Sequence, residues 1–161
     1  MKFTGNKDAD REILSKLEDK ELLQACSINR YFKYSVCNDE FFKRRLMKYP
    51  NIEKYRGDKN WRRFFLETVY YISKLKEEFK YDYVFGNPEK QYDLLKNSRN
   101  GLYVFFDAAR SGELALVMYI LKKYDFDLED IETREDINFA IEEAKYNGHH
   151  LIVDYLSTFL K

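Results

Sequence analysis

The sequence predicts an all-α fold, and three observations lead to that prediction. Apolar residues recur at intervals of three and four over most of the 161 residues, as amphipathic helices require. Only two prolines occur, and no Asn-Gly or Asp-Gly turn joins two alternating apolar runs, so β-hairpins have little support. A 36-residue repeat near the C-terminus is typical of stacked helix–turn–helix units.

Four short helices are predicted before residue 50. The first covers residues 10–17, and the second follows an N-cap at Asp19. Ser27 could cap the third, and the fourth could begin at Asn38 or Asp39. The apolar side chains that would form the buried faces of these helices are Ile13, Leu14, Leu17, Leu22, Leu23, Ile28, Tyr31, Phe32, Val36, Phe41, Phe42, Leu46 and Tyr49.

Residues 51–100 are predicted to brace the neighbouring helices. Residues 51–57 are polar and form a connector, and Asp58 then precedes a long helical pattern. Asn87 followed by Pro88 predicts an N-cap and the first position of a further helix. The positions of the long pattern recur mostly at intervals of three and four and include large aromatic side chains: Trp61, Phe64, Phe65, Thr68, Ile72, Leu75 and Phe79.

The repeat lies in residues 101–161, where two apolar patterns match at a spacing of 36. Alanines permit close helix approach, and Gly112 and Gly148 are predicted at tight turns, where positive φ is needed. The acidic stretch 125–135 between the two copies is expected to be an exposed connector. The matching pairs are Phe105 and Ile141, Ala108 and Ala144, Gly112 and Gly148, Leu116 and Ile152, Val117 and Val153, Tyr119 and Tyr155, and Ile120 and Leu156.

Residues 104–160 resemble ankyrin repeats. Ala108, Ala109, Gly112 and Val117 carry the resemblance in one copy, and Ala144, Gly148, His149, Val153 and Leu156 carry it in the next. The Thr-Pro-Leu-His opening of that family is missing, and residues 138–141 stand in its place. The resemblance implies helix pairs whose inner surface binds a target protein near the turns, through Arg110, Ser111, Glu113, Tyr146, Asn147, His149 and His150.

Residues 8–50 resemble an F-box. Ala9-Asp10 stands where the family carries Leu-Pro before the first helix. The resemblance rests on apolar positions with a few polar ones between them: Ile13, Leu14, Leu17, Leu22, Leu23, Ala25, Cys26, Asn29, Phe32, Asn38, Asp39, Phe41, Phe42 and Leu46. It implies docking on a Skp-family subunit of a cullin-RING ubiquitin ligase. The residues expected to dock are Ile13, Leu14, Leu17, Leu22, Leu23, Ile28 and Phe32, although each could equally belong to the core.

The two resemblances together imply three regions: an F-box-like domain in 8–50, bracing helices in 51–100 and ankyrin-like repeats in 101–161. This order is similar to that of proteins of large DNA viruses of amoebae, and it implies an adaptor that works in the host cytoplasm, monomeric outside its complex. Such an adaptor acts by holding an unknown target near the ubiquitin-conjugating enzyme. The alternative is a stand-alone binding or virion-structural protein without a ubiquitin role.

Charge and cysteine content argue against several other classes. The 28 basic and 28 acidic residues cancel, which opposes nucleic-acid binding. Two basic runs, 43–45 and 61–64, nevertheless suggest it, and the second places two arginines between aromatic rings that could stack on bases. Cys26 and Cys37 are too few for a disulfide framework and are predicted to be free, buried thiols. No signal peptide or membrane span is recognised, so a soluble intracellular chain is expected.

No catalytic, metal or cofactor site is predicted. The chain has no Gly-x-Ser-x-Gly motif and no phosphate-binding loop. His149 and His150 are adjacent and therefore diverge on a helix, so they are interpreted as turn or helix-start residues. One acidic set could bind a cation loosely, but a solvated loop is the preferred interpretation; it comprises Asp125, Asp127, Glu129, Asp130 and Glu132.

Overall fold

A computed structural model describes residues 3–82, 85–98, 100–124 and 130–161, with only the backbone of Ile131. The residues in these ranges form helices and connections without a strand, so the all-α prediction is confirmed. The chain divides into two compact units, an N-terminal unit up to Ser73 and a C-terminal unit from Lys74 onward. The predicted brace, 51–100, is therefore shared between the two units.

The N-terminal unit consists of short helices joined by tight turns. Its helices begin close to the predicted positions, but a single π-helical turn replaces the expected third helix. The last helix, α4 (Trp61–Glu78), starts in this unit and ends in the other one. The elements are α1 (Lys7–Ser15), α2 (Asp19–Ser27), the π-helical turn (Phe32–Val36), α3 (Asp39–Leu46), a 3-10 turn (Ile52–Tyr55) and α4 (Trp61–Glu78).

Side-chain caps explain where these helices begin. The Asn6 side chain accepts hydrogen bonds from the amides of Asp8 and Ala9, which moves the start of α1 three residues ahead of the predicted one. Asn38 accepts from the Phe41 amide and caps α3, as expected. Asp19 is the first residue of α2 rather than its N-cap.

The core of the N-terminal unit is apolar and rich in rings. Phe42 is fully buried, and its ring centroid lies 5.0 Å from that of Phe65 in α4 and 5.7 Å from that of Phe41. The fully buried Asp10 carboxylate accepts hydrogen bonds from the Thr4 amide, at 2.7 Å, and from the Tyr31 hydroxyl, at 3.0 Å. These bonds, those from Thr4 first, hold the pKa of Asp10 below its usual value.

Cys26 and Cys37 form a disulfide, so the prediction of free thiols is wrong. Both residues are buried, as predicted. Cys26 lies in the last turn of α2 and Cys37 directly follows the π-helical turn, which leaves their Cα atoms 5.8 Å apart, within the range that a disulfide needs. A composition argument could not show this proximity, because it depends on how the chain folds back between the two residues.

The C-terminal unit contains the two copies of the repeat as two helix pairs, preceded by α5 (Pro88–Asn97). The first pair is α6 (Gly101–Ser111) and α7 (Leu114–Lys123), and the second is α8 (Ile131–Tyr146) and α9 (His150–Ser157). Gly112 ends α6 with φ 79°, and Gly148 follows α8 with φ 75°, so both predicted turns are present. The core is made from residues such as Phe105, Leu116 and Ile152. A 3-10 turn (Thr158–Leu160) follows α9.

Candidate functional site

Glu113, expected on the target-binding surface, is buried instead. It occupies the N-cap position of α7, yet its side chain does not cap that helix. Its carboxylate accepts hydrogen bonds from Gln91 Nε2 at 2.8 Å and from the Asn87 amide at 3.2 Å. Burial, and secondarily the charge of Glu113, raises the pKa of the Tyr81 hydroxyl. Because its carboxylate accepts hydrogen bonds from the N-cap and the first turn of α5, Glu113 stabilises the start of that helix. Since it is buried, it is not available to a partner.

His149 occupies the equivalent position, 36 residues later, at the N-cap of α9. Its Nε2 lies 3.0 Å from the Arg110 carbonyl oxygen, and since a carbonyl only accepts, Nε2–H donates. A Cβ placed on Gly112 would lie 2.7 Å from the His149 ring. His149 therefore joins the turn of one repeat copy to that of the next, consistent with its interpretation as a turn residue.

The two turn glycines provide a matched test of this contact. Gly112→Ala and Gly148→Ala both place alanine at positive φ, which costs about 1–2 kcal/mol. Only the methyl at residue 112 would collide with the His149 ring, whereas the space around Gly148 is open. We expect urea denaturation to show Gly112→Ala less stable than Gly148→Ala by about a further 1–2 kcal/mol. Equal losses would mean that the His149 contact contributes nothing.

The other predicted target-binding residues lie on the surface. The Arg110 guanidinium pairs with Asp107 at 3.1 Å and with Glu143 of α8 at 2.6 Å, and these carboxylates, Glu143 first, raise its pKa. Ser111 is half-buried. The remaining three residues, all exposed, are Tyr146, Asn147 and His150.

Two exposed rings outside the predicted set lie on the helices that the Arg110–Glu143 ion pair joins. Tyr103 on α6 is 66% exposed, and Phe139 on α8 is 47% exposed. The rings of Phe106 on α6 and Phe139 have centroids 4.7 Å apart. Residues 103 and 139 are themselves 36 apart, so extending the repeat by two residues toward the N-terminus could have found them.

The predicted docking residues of the N-terminal unit divide by burial. Leu14, Leu22 and Phe32 are buried in the core. Ile28, directly after α2, is 63% exposed. Three others are half-buried: Ile13, Leu17 and Leu23. A partner could therefore reach Ile28 and the half-buried side chains, but not the buried three without rearrangement.

The arginines of the first basic run, 43–45, form hydrogen bonds and ion pairs within the chain. Arg45 donates hydrogen bonds to the carbonyl oxygens of Ser15, the last residue of α1, and of Leu17, and it pairs with Asp19 at 2.8 Å. It therefore satisfies the Ser15 carbonyl, which the end of the helix leaves open. Arg44 pairs with Glu40 at 3.2 Å. Between α1 and α3 lies a groove of about 570 Å³ lined by side chains of both charges, including Asp8, Arg11, Glu12, Glu40, Phe41 and Arg44.

The second basic run is likewise engaged. The Arg62 guanidinium lies 5.9 Å from the Phe42 ring centroid, and Arg63 pairs with Glu67 at 2.9 Å. The ring of Trp61 is largely buried in the core and is not available to stack on a base. Trp61 is expected on the apolar side of the helix, and its burial agrees with that expectation. Arg62 also contacts the core, because its guanidinium lies over the buried Phe42 ring.

The remaining candidate sites concern metal ions and membranes. Of the acidic set, Asp125, Asp127 and Glu129 lie outside the described residues. Within the described part of the chain, no cluster of histidine, cysteine and carboxylate side chains could hold a metal ion. None of the helices in that part combines the length and the apolar content that a membrane span requires.

No family model, curated protein or solved structure matches this chain.

Proposed function

We propose that this chain is a non-catalytic adaptor that recruits a target protein to a Skp–cullin-type ubiquitin ligase. The observation that carries the adaptor proposal is the set of exposed aromatic side chains on α6 and α8, which includes Tyr103, Phe139 and Tyr146. These residues belong to a different unit from the segment that resembles an F-box. Contiguous exposed apolar side chains typically mark protein-binding surfaces. The ubiquitin link comes from the order of the two resemblances and from the exposed Ile28 in the first of them.

Titration of the full chain with a Skp-family protein tests the ubiquitin link. We expect binding by calorimetry and at least about tenfold weaker binding by Ile28→Asp, because a charge would enter an apolar interface. Ile28 is better suited than Leu14, whose replacement by aspartate would place an unpaired charge in the core. Leu151→Asp is the matched control, since Leu151 is similarly exposed but lies in the C-terminal unit.

Two results would contradict this proposal. Absence of binding at high micromolar concentrations would remove the ubiquitin link. Equal binding by Ile28→Asp and the wild type would contradict docking through the F-box-like segment, on which the ubiquitin link rests. Circular dichroism checks that both variants keep the helical content of the wild type, so a loss of binding is not a loss of fold.

The second candidate function is a stand-alone binding or virion-structural protein. It is favoured by the burial of Leu14, Leu22 and Phe32, since these side chains already have partners inside the N-terminal unit. In that case the F-box-like segment serves as a helical cap, and the exposed aromatic side chains would still bind a partner. The same titration separates the two candidates, because only the adaptor requires a Skp-family protein.

A further inference from the structure

The rings on the outer side of α6 and α8 form one surface, which we call the aromatic face. It comprises Tyr103, Phe106, Phe139 and Tyr146, of which Tyr146 is 92% exposed. Phe106 packs edge-on against Phe139, and the Arg110–Glu143 ion pair joins the two helices one turn further along. The face therefore spans two helices that are fixed to one another within one compact unit.

The rings of this face are not covered by the chain's own cations. Two other exposed tyrosines carry a neighbouring ammonium group over the ring: Lys33 lies 5.2 Å from the Tyr34 centroid, and Lys123 lies 5.4 Å from that of Tyr124. In the described part of the chain, no lysine or arginine lies over Tyr103, Phe139 or Tyr146. These rings can therefore accept a cation from a partner.

The charges beside the rings are negative. On a helix, the residues three, four and seven positions from Phe139 share its side, and each of them in α8 is either acidic or Tyr146. These acidic residues are Glu132, Glu135, Asp136, Glu142 and Glu143. Partial burial, and secondarily the charges of Glu135 and Asp130, raises the pKa of Asp136.

The cations near this face are already engaged. Arg110 is held between Asp107 and Glu143, and Lys145 lies 3.7 Å from Glu142. Lys90, which lines the same pocket as Tyr103 and Asp93, donates a hydrogen bond to the Ser111 carbonyl oxygen at 3.1 Å. Among the described residues, no lysine or arginine forms an ion pair with Glu132, Glu135 or Asp136. The charge that remains for a partner is therefore negative, which disfavours an acidic partner and favours a basic one.

We propose that the aromatic face binds a lysine- or arginine-rich segment of the target protein, with cationic side chains over Tyr103 and Phe139. Carboxylates of α8 would pair with further cations of the same segment. This proposal rests on the proposed binding function and names the chemical class of the target. It is independent of the ubiquitin link, because the residues that carry it all lie in the C-terminal unit.

A short fluorescein-labelled peptide of alternating arginine and leucine, titrated with the full chain, tests the proposal by fluorescence anisotropy. We expect this peptide to bind, and the same peptide with glutamate in place of arginine not to bind. Raising the salt concentration should weaken the binding, since exposed charges are screened. Absence of binding by the arginine peptide would overturn the proposal, as would equal binding by a peptide with serine in place of arginine.

Two double variants separate the rings from the charges. Tyr103→Ala with Phe139→Ala removes the rings and keeps every carboxylate, and we expect about tenfold weaker binding of the arginine peptide. Glu135→Gln with Asp136→Asn removes charge with little change of shape, and we expect binding that is both weaker and less dependent on salt. Tyr70→Ala is the control, because Tyr70 is exposed in the helical stretch of the N-terminal unit.

The aromatic double variant decides between a built surface and general attraction of opposite charges. If it binds the arginine peptide as tightly as the wild type does, charge alone accounts for binding and the proposal fails. Failure of the Skp-family titration would leave these results unchanged, and failure here would leave that titration unchanged, so the two proposals are tested separately. Helical content, measured by circular dichroism, must match the wild type for each variant.

Discussion

Replacing Phe105 by alanine is expected to lower the free energy of unfolding by about 3–5 kcal/mol. Phe105 lies in the middle of α6 with no exposed surface, among the side chains of the C-terminal core. Truncation removes the transfer free energy of the ring and leaves a cavity that the surrounding helices fill only in part. The measurement is urea denaturation followed by the helical circular dichroism signal.

Phe139→Ala is the matched control for this variant. The chemical change is the same, but Phe139 is about half exposed and its principal ring contact is with Phe106. We therefore expect a loss of about 1 kcal/mol, the contribution of one exposed aromatic pair. Similar losses in the two variants would show that residue 105 does not lie in a closely packed core.

The position of Phe105 was predictable from the sequence because the repeat is a periodic signal. Seven pairs of matching residues place Phe105, Leu116 and their counterparts on buried faces, and the glycines mark the turns. Helix starts were predictable for a similar reason: Asn38 and Asn87 accept hydrogen bonds from amides three residues later, a strictly local interaction. Local and periodic features require no knowledge of tertiary contacts.

The features that the sequence did not predict depend on distant contacts. Glu113 is acidic and lies at a turn, which favours exposure, yet Gln91 and the Asn87 amide provide buried partners from α5 and the residue before it. The aromatic face is similar: Phe106 and Phe139 belong to different helices, and α6 must pack on α8 before they touch. Such pairings are set by the fold rather than by spacing along the chain.

Burial also changes which predicted docking residues can meet a partner. The sequence pattern assigns Leu14, Leu22, Phe32 and Ile28 alike to buried faces. In the structure the first three are buried, whereas Ile28 is 63% exposed. Apolar periodicity identifies the side of a helix that is buried, but it does not show whether the same chain or a partner protein buries it. The structure makes that distinction, and it identifies Ile28 as the sharper substitution for a binding test.

Reduction of the Cys26–Cys37 disulfide is expected to lower the free energy of unfolding by about 3 kcal/mol, through the conformational entropy that the crosslink removes from the unfolded chain. The two cysteines are 11 positions apart, so the disulfide closes a short loop. Short loops lose less entropy on closure than long ones, which keeps the expected stabilisation modest. The comparison is urea denaturation with and without a phosphine reductant.

The double variant Cys26→Ala, Cys37→Ala is the control, because it has no crosslink to lose. Its stability should not respond to the reductant, and it should lie at or below that of the reduced wild type, since both sulfurs are buried and their removal leaves a small cavity. An unchanged wild type in reductant, with free thiols confirmed by alkylation and mass spectrometry, would show that core packing alone holds α2 against the turn at residues 32–36. A loss confined to the wild type would assign the stabilisation to the crosslink itself.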